Sequence, residues 1–295
     1  MSSPAALPKV SAPSQPGAPG MQSYDALCAY LKKSSGLVLD RDKRYLVDSR
    51  LLPIVQREKL SGLPELVNIL EKGSSPSLAK EVVQAMTINE TYFFRDKLPF
   101  DALRDGIIPR IIKAKGNDKT LRIWCAASST GQEPYSIAMT LAEMKAKLAG
   151  WRIEIIGTDL AQHAIEKARA GTYSQFEVQR GLPTPFLLRY FTQSGDVWQI
   201  SDAIRQQVSF RNFNLLSDFA PLGKFDVVFC RNVLIYFNAP GKKDILQRML
   251  KQLNPEGFVV LGAAEGLVGI DIDLAPDPEV RPFLTRPQNI AKTPR

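Results

Sequence analysis

Residues 123–136 read IWCAASSTGQEPYS: an apolar run, a turn of small residues, then a helical pattern with an acidic residue near its start. Ala126, Ala127, Ser128, Ser129 and Gly131 permit a tight turn and close approach of backbone to a ligand, and Glu133 opens the next helix. The stretch is neither a G-x-G-x-x-G fingerprint nor a P-loop, because no Gly-Lys-Ser/Thr follows. Taken alone it is equally a structural turn, so its meaning comes from its surroundings. Apolar runs at 121–127, 153–158, 225–230 and 258–262 alternate with amphipathic stretches at 133–148, 161–170 and 240–253. That alternation predicts an α/β fold with a parallel sheet covered on both faces.

Upstream the pattern is different. Residues 1–20 are Pro, Ser, Ala and Gly with almost no large apolar side chain and are expected to be a disordered tail. Helical spacing starts at Tyr24 and continues through Leu27, Cys28, Tyr30 and Leu31. A second helix is expected over about 41–59, kinked or divided at Pro53, and Pro64 and Pro76 open two more. Residues 21–90 therefore read as a small all-helical domain, followed by a linker and connecting helix over 91–119. The α/β domain spans 120–286, and 287–295 reads as a polar C-terminal tail. Residues of about 172–207 break the βα rhythm and predict an inserted subdomain with short strands of its own.

Composition narrows the chemistry. The 295 residues hold one histidine, His163, and three cysteines, Cys28, Cys125 and Cys230, with no C-x-x-C. His-cluster metal sites are excluded, no metal is expected, and a Ser-His-Asp or Cys-His relay is improbable. The cysteines are expected as free thiols in a reducing cytoplasm. No signal-peptide stretch and no span of about 20 apolar residues occurs, which predicts a cytoplasmic protein without membrane insertion. A net charge of +8 suits an acidic partner.

In open α/β sheets ligands sit at the carboxyl ends of the strands. Asp159 ends the second run, where a carboxylate either takes both hydroxyls of a ribose or caps the next helix. FDVVFCRNVLIYF at 225–237 sends a strand into Arg231, Asn232 and Tyr236, a wall for a planar ligand or ordinary strand-end packing. TINETYFFRD at 87–96 interleaves Asn89, Glu90, Thr91 and Arg95 with Tyr92, Phe93 and Phe94 at the domain junction.

These segments, in this order, resemble the chemotaxis receptor methyltransferases, the CheR family, over residues 22–285. The resemblance implies a helical N-terminal domain and a Rossmann-like class I S-adenosylmethionine methyltransferase domain with a small inserted antiparallel β-subdomain. It implies methyl transfer from S-adenosylmethionine to glutamate side chains of chemoreceptors, leaving S-adenosylhomocysteine. By motif, Asn89, Thr91, Arg95, Ala127, Glu133, Asp159, Asn214, Leu215, Asn232 and Val233 would form the cofactor pocket. Asp159 would take the ribose, and Asn214 and Leu215 would border the adenine. Arg95 and Tyr236 would be the catalytic side chains nearest the methyl group.

The residue chemistry agrees with that implication. A glutamate with a pKa near 4.3 is ionised at neutral pH and needs no general base, so the missing histidines are no obstacle. Lys43, Arg50 and Arg57, seven apart, form a basic stripe that would dock the acidic cytoplasmic methylation helices of receptors, or simply a solvated helix face. One departure is the short TQSGD connection at 192–196, where relatives that grip a receptor's C-terminal pentapeptide carry a longer Gly-rich loop. A pentapeptide-independent, monomeric enzyme is expected. A nucleic-acid methyltransferase is disfavoured, because no Asn/Asp-Pro-Pro-aromatic tetrapeptide occurs and no strongly basic patch is interleaved with aromatics; no nucleic-acid partner is expected. A non-catalytic adaptor that binds the cofactor is the other alternative.

Overall fold

The computed structural model describes residues 21–290, so the expected 1–20 tail lies outside the described residues. Four helices come first: α1 (Met21–Ser35), α2 (Arg44–Arg57), α3 (Leu63–Lys72) and α4 (Pro76–Ala85). Their apolar faces meet in one cluster that includes Tyr24, Leu27, Leu31, Val47, Leu51, Leu66 and Val82. Of the two outcomes expected at Pro53, a kink or a division, division does not occur, and α2 runs through it. Pro53 faces outward and removes one backbone donor, at a cost of about 3 kcal/mol. Buried Val47, Leu51, Ile54 and Val55 each return about 1.5–3 kcal/mol, which keeps the helix whole.

The remaining chain builds a sheet from β1 (Thr120–Ala126), β2 (Arg152–Asp159), β6 (Val208–Asn212), β7 (Phe225–Cys230), β8 (Leu253–Leu261), β9 (Ala275–Pro276) and β10 (Phe283–Thr285). Its order is β6-β2-β1-β7-β8-β10-β9. The first five run parallel, and β10 is antiparallel to both neighbours. Strand order reverses between β1 and β7, the crevice where α/β sheets bind ligands.

Alternation sorts the strand residues onto two buried faces. Leu121, Ile123, Cys125, Val227 and Phe229 join Ile137 and Leu141 of helix Gln132–Glu143 in one core. Trp124, Ala126, Val228 and Cys230 join Ile245 and Met249 of helix Ala239–Gln252 in the other. Both faces are therefore covered, which is why these strands read as unbroken apolar runs. The sequence reading missed β6, β9 and β10; Val208–Asn212 alternates buried and exposed residues and carries little apolar signal.

The insertion forms its own antiparallel sheet, β3 (Thr172–Ser174), β5 (Val197–Ile200) and β4 (Phe191–Ser194), in the order β3-β5-β4. The β4–β5 connection is only Gly195–Asp196, with Gly195 at φ +60°. At the C-terminus, Pro287–Ile290 is a short helix inside the stretch read as a polar tail. Its buried Asn289 donates to the Pro255 carbonyl at 2.7 Å. No helix among the described residues is long and apolar enough to cross a membrane.

Candidate active site

Loops from the tips of β1, β2, β6 and β7, the 87–95 segment and the end of α1 enclose a cleft of about 990 Å³, open mouth included. Every expected cofactor residue lines it: Asn89, Thr91, Arg95, Ala127, Glu133, Asp159, Asn214, Leu215, Asn232 and Val233, together with Tyr236. Ser35 and Leu37 add a wall from the helical domain, and Leu160 and Phe213 add apolar surface.

The walls are held by backbone hydrogen bonds to carboxylates. Asp159 Oδ2 accepts from Ser129 N at 2.8 Å, while Oδ1 accepts from Ala161 N at 2.8 Å and from Asn89 Nδ2 at 3.4 Å. Asp159 does not cap the helix that follows, whose N-cap is Ala161 with no side-chain cap. Its bond from Ala161 N closes a turn before that helix, and the carboxylate lines the cleft. Burial pushes its carboxyl above the ordinary range, against the pull of these donors. Asn89 is fixed in turn, because its Oδ1 accepts from Thr87 Oγ1 at 2.9 Å and its carbonyl from Ser129 Oγ at 2.7 Å.

The β7 tip is held by a residue the sequence reading missed. Glu265 Oε2 accepts from Asn232 N and Gly262 N, both at 2.7 Å, and Oε1 accepts from Val233 N at 2.8 Å and Ile235 N at 3.2 Å. Glu265 follows the small residues Gly262, Ala263 and Ala264 at the tip of β8, so searching the fourth strand tip as the others were searched would have found it.

Six non-glycine residues in and beside the cleft have left-handed backbone: Phe94, Asp96, Lys97, Ala127, Ser129 and Asn232, with φ from 43° to 65°. Such conformations cost about 1–3 kcal/mol each and persist only where the surroundings over-determine them. Arg95 lies between two of them, and its Nη1 donates to the Glu90 carbonyl at 3.1 Å. Tyr236 is half-buried, and burial raises its hydroxyl pKa, so it stays a protonated donor at neutral pH.

The basic stripe is not a free one. Arg50 donates from Nη1 to the carbonyls of Met86 and Thr87 at 3.2 and 2.9 Å, satisfying the end of α4. Arg57 pairs with Glu81 at 2.6 Å and Glu58 at 2.9 Å, and Lys43 lies 3.9 Å from Asp40. Arg50 and Arg57 both reach α4 or the residues just after it, whereas Lys43 lies outside α2 in the 3-10 turn Arg41–Lys43, and each of the three has a partner within the helical domain.

The cleft suits S-adenosylmethionine. Two buried polar atoms of its lining have no protein partner, Ser128 Oγ and Arg231 Nε. The carboxylates of buried Asp159 and part-buried Glu133 line the cleft, where they would suit a cationic ligand, and Leu160, Phe213, Leu215 and Val233 offer apolar walls for a base.

Comparison with known proteins agrees. Residues 22–87 match the CheR methyltransferase all-alpha domain and residues 89–276 the CheR methyltransferase SAM-binding domain. "Chemotaxis protein methyltransferase Cher2" of Pseudomonas putida is 42% identical over 255 residues, 85% of this chain and 92% of that protein. "Chemotaxis protein methyltransferase 1" of Pseudomonas aeruginosa is 44% identical over 248 residues, covering 83% and 90%. "Chemotaxis protein methyltransferase 1" of Vibrio cholerae is 41% identical over 252 residues, covering 84% and 90%. The chain belongs to the CheR methyltransferase family, and it is an S-adenosylmethionine-dependent methyltransferase of chemotaxis.

Proposed function

We propose that the chain methylates glutamate side chains of chemoreceptors, forming methyl esters, and that it does so in the cytoplasm without gripping a receptor C-terminal pentapeptide. The observation that carries this reading is the cleft lining. Among the described residues it contains Arg95, Tyr236, amides and carboxylates, but no histidine, cysteine or lysine. The carboxylates of that lining are already engaged, Asp159 by backbone N–H groups, Glu133 by Arg231 and Glu90 by Arg180, and an ionised carboxylate acceptor needs no base from them.

S-adenosylmethionine supplies a methyl group already activated on a sulfonium. The protein's part is alignment and exclusion of water, which otherwise stabilises the separated charges of carboxylate and sulfonium. Arg95 orients the acceptor carboxylate; a tight bidentate pair would stabilise the ground state more than the transition state, so its role is positioning. The Tyr236 hydroxyl donates to the same acceptor. Asn89, Thr91, Ala127, Glu133, Asp159, Asn232 and Val233 hold the cofactor, with Asp159 toward the ribose and Asn214 and Leu215 beside the adenine. An acidic methylation helix docks against Lys43, Arg50 and Arg57 by exchanging the partners that Arg57 and Arg50 now hold. The two-residue β4–β5 turn supports pentapeptide independence, because it leaves no loop to close over an added strand.

The test is transfer of radiolabelled methyl to receptor-enriched membranes, followed by alkaline release. Base-labile label on receptor bands is expected; binding without transfer to a competent receptor panel would favour an adaptor. Measurable affinity for a receptor-type pentapeptide would overturn the independence.

A further inference from the structure

Arg231 stands at the tip of β7 with its side chain only 1% exposed. Its Nη1 donates to Glu133 Oε2 at 2.9 Å, and its Nη2 to Asp96 Oδ2 at 2.6 Å and to the Arg95 carbonyl at 2.9 Å. Its guanidinium carbon lies 5.9 Å from the centre of the Phe100 ring. We infer that Arg231 is a positioning residue that locks Glu133 and the Arg95–Asp96 turn into one arrangement, so that the cofactor and acceptor halves of the site share an anchor. The inference rests on the reading above, in which Glu133 faces the cofactor and Arg95 the acceptor.

Two facts require such an anchor. The turn that presents Arg95 is strained at Phe94, Asp96 and Lys97, and its own propensities would not keep it. Apart from Arg231, Ser136 Oγ accepts from Phe94 N at 2.9 Å and holds the start of the turn. The Glu133 side chain is only 12% exposed, which favours its neutral form, and Arg231 is the opposing charge that pairs with it. Arg95 adds a weaker pull in the same direction, and Glu265 pushes the other way. The Cys125 and Cys230 thiols lie within electrostatic reach of this carboxylate from opposite faces of the sheet, but burial raises both well above their ordinary value, so they stay neutral. Removing the Arg231 cation therefore does two separable things: it frees the Arg95 turn, and it lets Glu133 take a proton.

Two variants separate these effects. Arg231→Gln removes the cation. Its binding of S-adenosylhomocysteine, read by titration calorimetry, should weaken about tenfold at neutral pH. The loss should shrink as pH rises, because without the Arg231 cation the buried Glu133 carboxylate holds its proton to higher pH than in the wild type and re-ionises only there. Arg231→Lys keeps the charge but cannot span three acceptors. It should keep the cofactor KM within about threefold while kcat falls about tenfold, through a misplaced Arg95. A binding profile of R231Q parallel to wild type, or an undiminished kcat in R231K, overturns the inference, and R231K decides alone if R231Q does not fold. Glu133→Gln is the control for the underlying reading. If E133Q binds the product normally, the cofactor role of Glu133 and the inference fall together; if E133Q weakens binding and R231Q does not, only the inference falls.

Discussion

The Asn214 side-chain amide donates to the Ser34 carbonyl at 2.8 Å and so joins the loop after β6 to the C-terminal end of α1. The adjoining segment repeats the junction: Val38 N donates to the Tyr236 carbonyl at 2.9 Å, and Ser35 and Leu37 line the cleft. The helical domain is thereby part of the cofactor pocket's wall.

Gly36 tests that relationship. It sits at φ +78°, and a Cβ there would lie 2.1 Å from Phe237 Cε1. Gly36→Val combines about 1–2 kcal/mol of left-handed strain with a displaced ring, so cofactor affinity should fall about tenfold. Calorimetric binding checks this, and unchanged affinity would mean the wall is dispensable.

Glu265 accepts from four backbone N–H groups, and glutamine would turn an NH₂ toward some of them. Glu265→Gln should lower stability by about 2 kcal/mol and weaken cofactor binding, since hydrogen bonds to a charged group are worth about 1.5–3 kcal/mol. Thermal unfolding with and without S-adenosylhomocysteine reads both effects.

Arg95→Ala should abolish methyl transfer while much of the cofactor binding survives, because Arg95 acts on the acceptor. Tyr236→Phe should reduce kcat by about tenfold, the loss of one aligned hydrogen bond. Undiminished turnover in R95A would refute the positioning role.

Arg50 and Arg57 should separate. Arg50→Ala leaves the α4 carbonyls unpaired and should cost about 1–2 kcal/mol of stability. Arg57 is exposed and its ion pairs are worth little. The double variant Lys43→Gln, Arg57→Gln removes charge without placing new acid beside Glu81, Glu58 and Asp40. It should change folding and cofactor binding little while raising the receptor KM, with the contrast fading at high salt.

Alkali should loosen the helical domain through Tyr24. Its ring is buried, its hydroxyl donates to the Asp40 carbonyl at 2.8 Å, and burial, with Cys28, Asp42 and Asp40 nearby, pushes its pKa to about 12. The folded value exceeds the unfolded one near 10, so this stability is whole below pH 10 and is lost as pH rises from 10 toward 12. A melting-temperature profile over that window should be flatter in Tyr24→Phe.

In the sequence by itself, local pattern carries the layers of the fold, while most of the residues that line the cleft were named by the family resemblance of their motifs. Unbroken apolar strands and period-3.6 helices follow from burial on both faces, and Asp159, Glu133, Asn232 and Tyr236 were legible because each stands at or just beyond a strand tip or opens a helix. The sequence could not decide how those groups are spent. Pro53 was overridden by the four buried side chains of α2, and β6, β9 and β10 are too short or too weakly apolar to announce themselves. Arg50 and Arg57 read as a free stripe because a partner 24 residues or more away in sequence, such as Glu81 or the carbonyl of Thr87, leaves no trace in local spacing. Glu265 and Arg231 depend on the same kind of contact: Arg231 reaches Glu133 across 98 residues and Asp96 across 135. Local pattern records which face of an element is buried, whereas the pairing of buried charges is settled only when the chain has brought distant strand tips together.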